Sequence, residues 1–270
     1  MICDKSEKLA RALHKQIEIM ARLRAPENGC PWDLEQDFDT IAPFTIEEAY
    51  EVADAIKKRD FAALKEELGD LVFQVAFHSR MAEEAELFDF VDVVEALNRK
   101  MVARHEHVFG DNQIATPEAV LVNWENLKAE ERAAKLKTDN SILADVAIAL
   151  PALSRAWKLS KRAARVGFDW TGPEAIFEKL NEEVNETKEA IESNNFLHIQ
   201  EEIGDCLFVL VNLARKCDID PENALRLAND KFEKRFRFIE TELAKLCKSP
   251  QNSTIDEMEG LWLKAKMEGN

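Results

Sequence analysis

Apolar residues recur at three- and four-residue steps along most of the chain, which predicts a succession of amphipathic helices. Leu9, Leu13, Ile17 and Met20 form the stripe of a first helix, which ends before Pro26, Gly29 and Pro31. A second helix is expected to open near Thr45, with Glu48 three residues on completing a capping box, and to run to about Lys58. A third spans roughly Phe61 to Glu84 and a fourth Asp89 to Arg104, while Pro117 begins a stretch that extends through LKAEERAAKLK. The second half repeats this order: a helix near Pro151 to Ala164, a turn GFDWTGPE, helices through EEVNE and EEIGD, and another from Pro221 to Leu246. Thr138, Asp139, Asn140 and Ser141 break the periodicity between the halves. The expected organisation is a helical domain over residues 1–135, a linker over 136–150 and a second helical domain over 151–270.

The order of elements repeats because the residues repeat. Glu47, Glu48 and Glu51 in EEAYE are followed by Glu66, Glu67, Gly69 and Asp70 in EELGD. Glu182, Glu183, Glu186, Glu201, Glu202, Gly204 and Asp205 stand at the same places 135 residues later, together with Phe73 and Phe208, Ala55 and Ala190, and Ile56 and Ile191. One such pattern is what an acidic, solvated helix face looks like. Two copies at a single offset indicate homologous halves. The preceding turns align too, Gly29-Cys30-Pro31-Trp32-Asp33 with Gly167-Phe168-Asp169-Trp170, and each Trp is expected to cover the site or, the more frequent role, to plug the core.

Composition supports an all-α fold. Gly and Pro together number only 16 in 270 residues, too few for the turns of a sheet protein, and 46% hydrophobic content is enough for a core without metal or disulfide staples. Five cysteines without a CxxC pair read as reduced, mostly packed thiols, and the charged N-terminus does not resemble a signal sequence, so a cytoplasmic setting is expected. A net charge of −16 argues against nucleic acid and anionic membrane as partners. It leaves room for a small phosphorylated substrate held by a cation and a few placed Lys or Arg residues.

The acids have the spacing for that cation. Residues three apart share a helix face, so Glu48 with Glu51, Glu67 with Asp70, Glu183 with Glu186, and Glu202 with Asp205 each aim two carboxylates the same way. Two such helices packed together bring four oxygens to one spot, a costly arrangement unless a hard divalent cation sits among them. Oxygen-only ligands favour Mg2+, with Mn2+ as the alternative, over zinc or iron, and di-iron bundles place His where this chain has Glu or Asp. Downstream lie basic clusters, Lys100, Arg104, His105 and His107 in the first half and Lys231, Lys234, Arg235 and Arg237 in the second. Lys100 with Arg104 and Lys231 with Arg235 share faces and are placed to grip adjacent phosphates, whereas Lys234 and Arg237 point elsewhere on the wheel. His105 and His107 read as capping or packing residues.

At the level of whole motifs, PENGCPWD (26–33), TIEEAYEV (45–52), EELGDLVFQV (66–75), RHEHVF (104–109), VGFDWT (166–171), EEIGDCLF (201–208), VNLAR (211–215) and KFEKRF (231–236) resemble MazG, a family of nucleoside triphosphate pyrophosphohydrolases. The resemblance implies two tandem helix-bundle domains, a homodimer, and Mg2+-dependent conversion of a broad range of nucleoside triphosphates to the monophosphate and pyrophosphate. It makes Glu183, Glu186, Glu202 and Asp205 the metal ligands and catalytic centre, with Glu48, Glu51, Glu67 and Asp70 as their first-half counterparts. It further implies nucleotide contacts by Lys179, Glu182, Lys231, Arg235 and Trp262. Lys234 and Glu201 are also counted at the substrate site, and Glu182 or Glu201, next to the ligands, is a candidate to orient or deprotonate the attacking water. Glu106 stands where the family usually has Pro, beside the first half's basic cluster, which puts phosphate binding there in doubt. Two other readings are open on sequence: a pyrophosphatase narrow for one deoxynucleotide, and a non-catalytic helical interaction protein.

Overall fold

The computed structural model describes residues 2–110, 116–117, 119–120, 123–124, 127 and 141–269. It divides into two compact units, Met1–Lys128 and Ala129–Asn270. Among the described residues the regular elements are all helices. Most of the helical stretch expected after Pro117, and residues 136–140 of the expected linker, lie outside them. Among the described residues no helix is long and apolar enough to cross a membrane.

The first unit contains α1 (Ile2–Leu23), α2 (Pro31–Glu35), α3 (Phe38–Lys58), α4 (Phe61–Glu84), α5 (Phe90–Arg104) and α6 (Glu106–Phe109). The most extensive packing joins α3 to α4, and α1 and α5 rest on α4. A two-residue connection forces α3 and α4 to run antiparallel. Arg59 adopts a left-handed φ of 57° and its N–H bonds to the Ala55 and Ile56 carbonyls; the Asp60 side chain then caps α4 by accepting from the N–H groups of Ala62 and Ala63. Met20, Ile41, Phe77 and Met81 close the core, with Phe73 packed against it.

Two sequence expectations change here. α3 begins at Phe38 rather than near Thr45, because Asp37 and Thr40 form the capping box and the helix runs through Pro43. So near the N-terminus, Pro43 removes only one intrahelical hydrogen bond. Thr45 instead lies within the helix, its Oγ1 2.9 Å from His78 Nε2. The apolar stripe of α1 is also only partly used, since Met20 is buried while Leu9 and Leu13 are exposed.

In the second unit, α7 (Ala152–Ala164), α8 (Pro173–Glu192), α9 (Phe196–Lys216), α10 (Pro221–Lys245) and α11 (Ile255–Met267) follow. α8 packs on α9 as α3 does on α4, α7 lies on α9 and α10, and α11 folds back on α10. The hairpin is preserved, with Asn194 left-handed at φ 57° and Asn195 capping α9. Ile176 and Ala190 are buried at the places of Ile41 and Ala55. Beyond the hairpins the offset shortens: the N-caps Asp89 and Asp220, and the pairs Lys100 and Lys231, Arg104 and Arg235, are 131 residues apart.

An arginine ties down the turn before each acidic hairpin. Arg24, nearly buried, donates to the carbonyls of Asp33 and Gln36 and pairs with Glu84 at 2.8 Å. Arg215 instead takes the Asp169 carboxylate, which also binds Lys216 Nζ at 2.6 Å, and it donates to the Oδ1 of the fully buried Asn212 at 3.2 Å. The Arg215 hydrogen bonds hold the Asp169 carboxyl down at about 2, against the opposing effect of burial and with help from Lys216. A depressed carboxylate stabilises the fold above its ordinary value of 3.8 and loses that contribution as pH falls towards 2. Asp169→Asn is therefore expected to cost about 2 kcal/mol at neutral pH, and urea midpoints of variant and wild type should converge as the pH is lowered from 5 to about 2.

Candidate active site

The hairpins bring the acids of each half together. In the second unit Glu183 from α8 and Glu202 and Asp205 from α9 present carboxylate oxygens that all lie within 4.8 Å of one another. Glu48 from α3 and Glu67 and Asp70 from α4 do the same in the first. Glu183 and Glu202 are buried and Asp205 is exposed, whereas Glu48 and Glu67 are only half-buried. The fourth predicted acid of each half sits beside its triad rather than in it, near enough for Glu183 to push the Glu186 carboxyl up and for Glu51 to do the same to Glu48.

Crowding shows in the electrostatics. Burial pushes the Glu48 carboxyl up, and Asp70, Glu51 and Glu67 push it further. Glu67 is raised by burial, then by Glu51 and Asp70, and Glu186 by burial and Glu183, with Lys179 opposing. For a raised carboxylate the penalty exists above the folded-state pKa and vanishes below the unfolded value. Glu48→Gln is thus expected to stabilise the metal-free protein by about 0.5 kcal/mol at pH 7, a gain that fades as pH drops to about 4, read from denaturant midpoints.

The other predicted contacts divide into two groups. Lys179 Nζ is 2.7 Å from Glu182 and 2.7 Å from Glu183 on its own helix, and these hydrogen bonds raise its pKa. Glu201 is exposed next to Glu202. Lys231, Lys234 and Arg235 line an open pocket of about 450 Å³ with Asp230, Lys266 and Gly269. Lys234 therefore shares a pocket with Lys231, contrary to the helical-wheel expectation, since residues three apart are neighbours on a helix face. Trp262 packs its ring on Phe232, 5.4 Å between centroids, and under the Arg235 guanidinium at 5.4 Å.

Two nearby residues escaped sequence reading. Lys266 enters the basic pocket from α11, and its signal was the four-residue step from Trp262. His198 lies 3.0 Å from Glu202 through Nε2, again at a four-residue step. In the first unit, His105 donates from Nδ1 to the Met101 carbonyl at 2.7 Å and packs on Trp124, which agrees with a packing role. Trp32 does not plug the core, being half exposed and edge-on to Phe44. Among the described residues the cysteines are unbridged, and Cys217 and Cys247 are exposed rather than packed because both sit at helix C-termini.

Comparison with known proteins accounts for the duplicated site. The model of the MazG nucleotide pyrophosphohydrolase domain matches residues 36–109 and again 171–237, each match spanning one acidic hairpin and the basic helix after it. The chain belongs to the MazG family. A nucleoside triphosphate pyrophosphohydrolase of Escherichia coli (strain K12) is 46% identical to it over 258 residues, covering 94% of this chain and 97% of that protein. The nucleoside triphosphate pyrophosphohydrolase/pyrophosphatase MazG of Thermotoga maritima is 40% identical over 93% of this chain and 94% of its own length. Protein YabN of Bacillus subtilis is 41% identical over 92% of this chain, which spans 50% of that longer relative. Both MazG matches end before Trp262 and Lys266, so α11 lies outside the matched domain.

Proposed function

We propose that this chain hydrolyses nucleoside triphosphates to the monophosphate and pyrophosphate, with Mg2+ held by Glu183, Glu202 and Asp205 and Glu186 completing the set. The observation that carries the reading is the carboxylate triad of the second unit: three oxygens from two helices within 4.8 Å, two of the three residues buried. Carboxylates alone make up the cluster, which suits a hard cation and not zinc or iron. The names of the relatives from E. coli and T. maritima support the same activity.

When bound, Mg2+ supplies charge neutralisation for the phosphates and a more acidic water. The chain supplies the rest. Lys231, Lys234, Arg235 and Lys266 offer four cations to phosphate oxygens from one pocket. Glu182 and Glu201 are the acids adjacent to the ligands that would orient or deprotonate the attacking water at the α-phosphorus. Lys179, held at 2.7 Å from Glu182 and Glu183, stands ready to bind a phosphate oxygen. Trp262, with Arg235 over its ring and Phe232 beside it, is the aromatic group assigned to the base.

The same reading makes the protein a cytoplasmic homodimer. Leu68, Val72 and Val75 form an exposed apolar stripe on α4, and Ile203, Leu207 and Leu210 repeat it on α9 at the 135-residue offset. Helix faces of this kind bury themselves against a second copy. Light scattering should return twice the 30.8 kDa chain mass.

A panel of ribo- and deoxynucleoside triphosphates assayed for pyrophosphate release with Mg2+, Mn2+ and chelator tests the activity. Similar rates across bases are expected, and they vanish with chelator. A single dominant nucleotide would mean a base-reading pocket instead, and no release from any substrate would reject the enzyme reading.

A further inference from the structure

The two triads are alike in acids and differ in the basic side chains beside them. In the second unit Lys179 Nζ lies 2.7 Å from the Glu183 carboxylate, and His198 Nε2 lies 3.0 Å from that of Glu202. Both acids are buried, so their oxygens have few other directions from which to meet a cation. The positions 135 residues earlier hold Phe44 and Ala63. Phe44 packs on Trp32, and the Ala63 N–H is spent on the Asp60 cap. Among the described residues no ion pair reaches Glu48, Glu67 or Asp70.

A second observation separates the halves. Gln74 follows Asp70 by one turn on the stripe that also carries Glu67, and its Oε1 is buried without a hydrogen-bond partner. Gln74 is only 6% exposed, and its counterpart is the apolar Val209. A hard cation that keeps part of its water shell brings donors to such an acceptor.

Building on the pyrophosphohydrolase reading, we propose that the halves load metal by different rules. The first-unit triad takes a divalent cation by itself, whereas the second-unit triad takes one together with a nucleoside triphosphate, whose phosphates draw Lys179 and His198 away from Glu183 and Glu202. Uncompensated carboxylates attract a cation outright, and paired carboxylates release theirs only when the amine and imidazole gain new partners. The first unit is then a standing metal site. The second stays closed to bare metal and opens to the metal-nucleotide complex.

Mn2+ retained with the full-length protein in equilibrium dialysis tests this, with and without an α,β-methylene nucleoside triphosphate that resists cleavage, after subtracting the Mn2+ that the analogue carries on the protein-free side. Without nucleotide, the bound Mn2+ should disappear in Asp70→Asn and persist in Asp205→Asn. With the analogue a further Mn2+ should bind, about tenfold or more tighter than the second unit manages alone, and Asp205→Asn should abolish it. Lys179→Met combined with His198→Ala should give the second unit nucleotide-free binding about tenfold tighter than wild type. Loss of nucleotide-free Mn2+ in Asp205→Asn, its survival in Asp70→Asn, or an unchanged double variant would overturn the proposal. Pyrophosphate release by the wild type tests the activity separately: release with the wrong loading order sinks only this inference, and no release sinks the function while the nucleotide-free arm still decides the first unit.

Discussion

Asp205→Ala in the full-length protein should reduce pyrophosphate release by about a thousandfold in kcat, because an ion at such a site contributes several kcal/mol to the transition state. Helix content should not change, since Asp205 is exposed and Ala is the better helix former. Asp70→Ala, which removes the corresponding acid of the first unit, should leave most of the turnover in place. Measuring both variants and their combination across the nucleotide panel assigns the chemistry to a unit. Full activity in Asp205→Ala would reject the second-unit assignment, and equal losses in both single variants would mean that two triads share the work.

Phe77→Ala is the substitution with the largest expected effect on stability. Its ring is 1% exposed, meets Phe73 edge-on at 5.9 Å, carries the Arg24 guanidinium over its face at 5.4 Å and closes the core of the first unit. Emptying that volume should cost about 3–5 kcal/mol, seen as an earlier denaturant midpoint for the transition reported by Trp32. The equivalent place in the second unit holds Asn212, whose Nδ2 donates to the Phe208 carbonyl at 3.0 Å. Asn212→Phe would strand Arg215 and is not expected to restore a first-unit-like core.

Periodicity and turn chemistry carried most of the fold. The spans Phe61 to Glu84 and Pro151 to Ala164 are legible because polar caps and apolar steps agree there, whereas the start of α3, where Pro43 reads as a breaker, and the C-terminal helix α11 are not. The acids were legible through duplication. Their grouping into threes was not, because helix spacing places Glu51 and Glu186 on the right face without saying how far each reaches. Of the two roles open to Trp32, plugging the core is the one the structure rules out, because size alone does not tell a packed ring from one lying against a surface neighbour such as Phe44. Lys266 and His198 went unnoticed for a different reason. Each becomes informative only once a helix is known to fold back or a carboxylate is known to be buried, and both facts are tertiary.

The left-handed hairpin residues, Arg59 and Asn194, have a further consequence for how these sites tolerate change. Each acidic pair is indexed to its neighbour by the number of residues counted back through that turn, 19 from Glu48 to Glu67 and 19 from Glu183 to Glu202. One residue inserted between Asn195 and Glu202 turns Glu202 and Asp205 by about 100° around the α9 axis while every acid remains in the sequence. The count is thus as strict a requirement as the carboxylates themselves, and descendants of this duplication can lengthen or shorten beyond the hairpin, as the step from 135 to 131 records, but not within it.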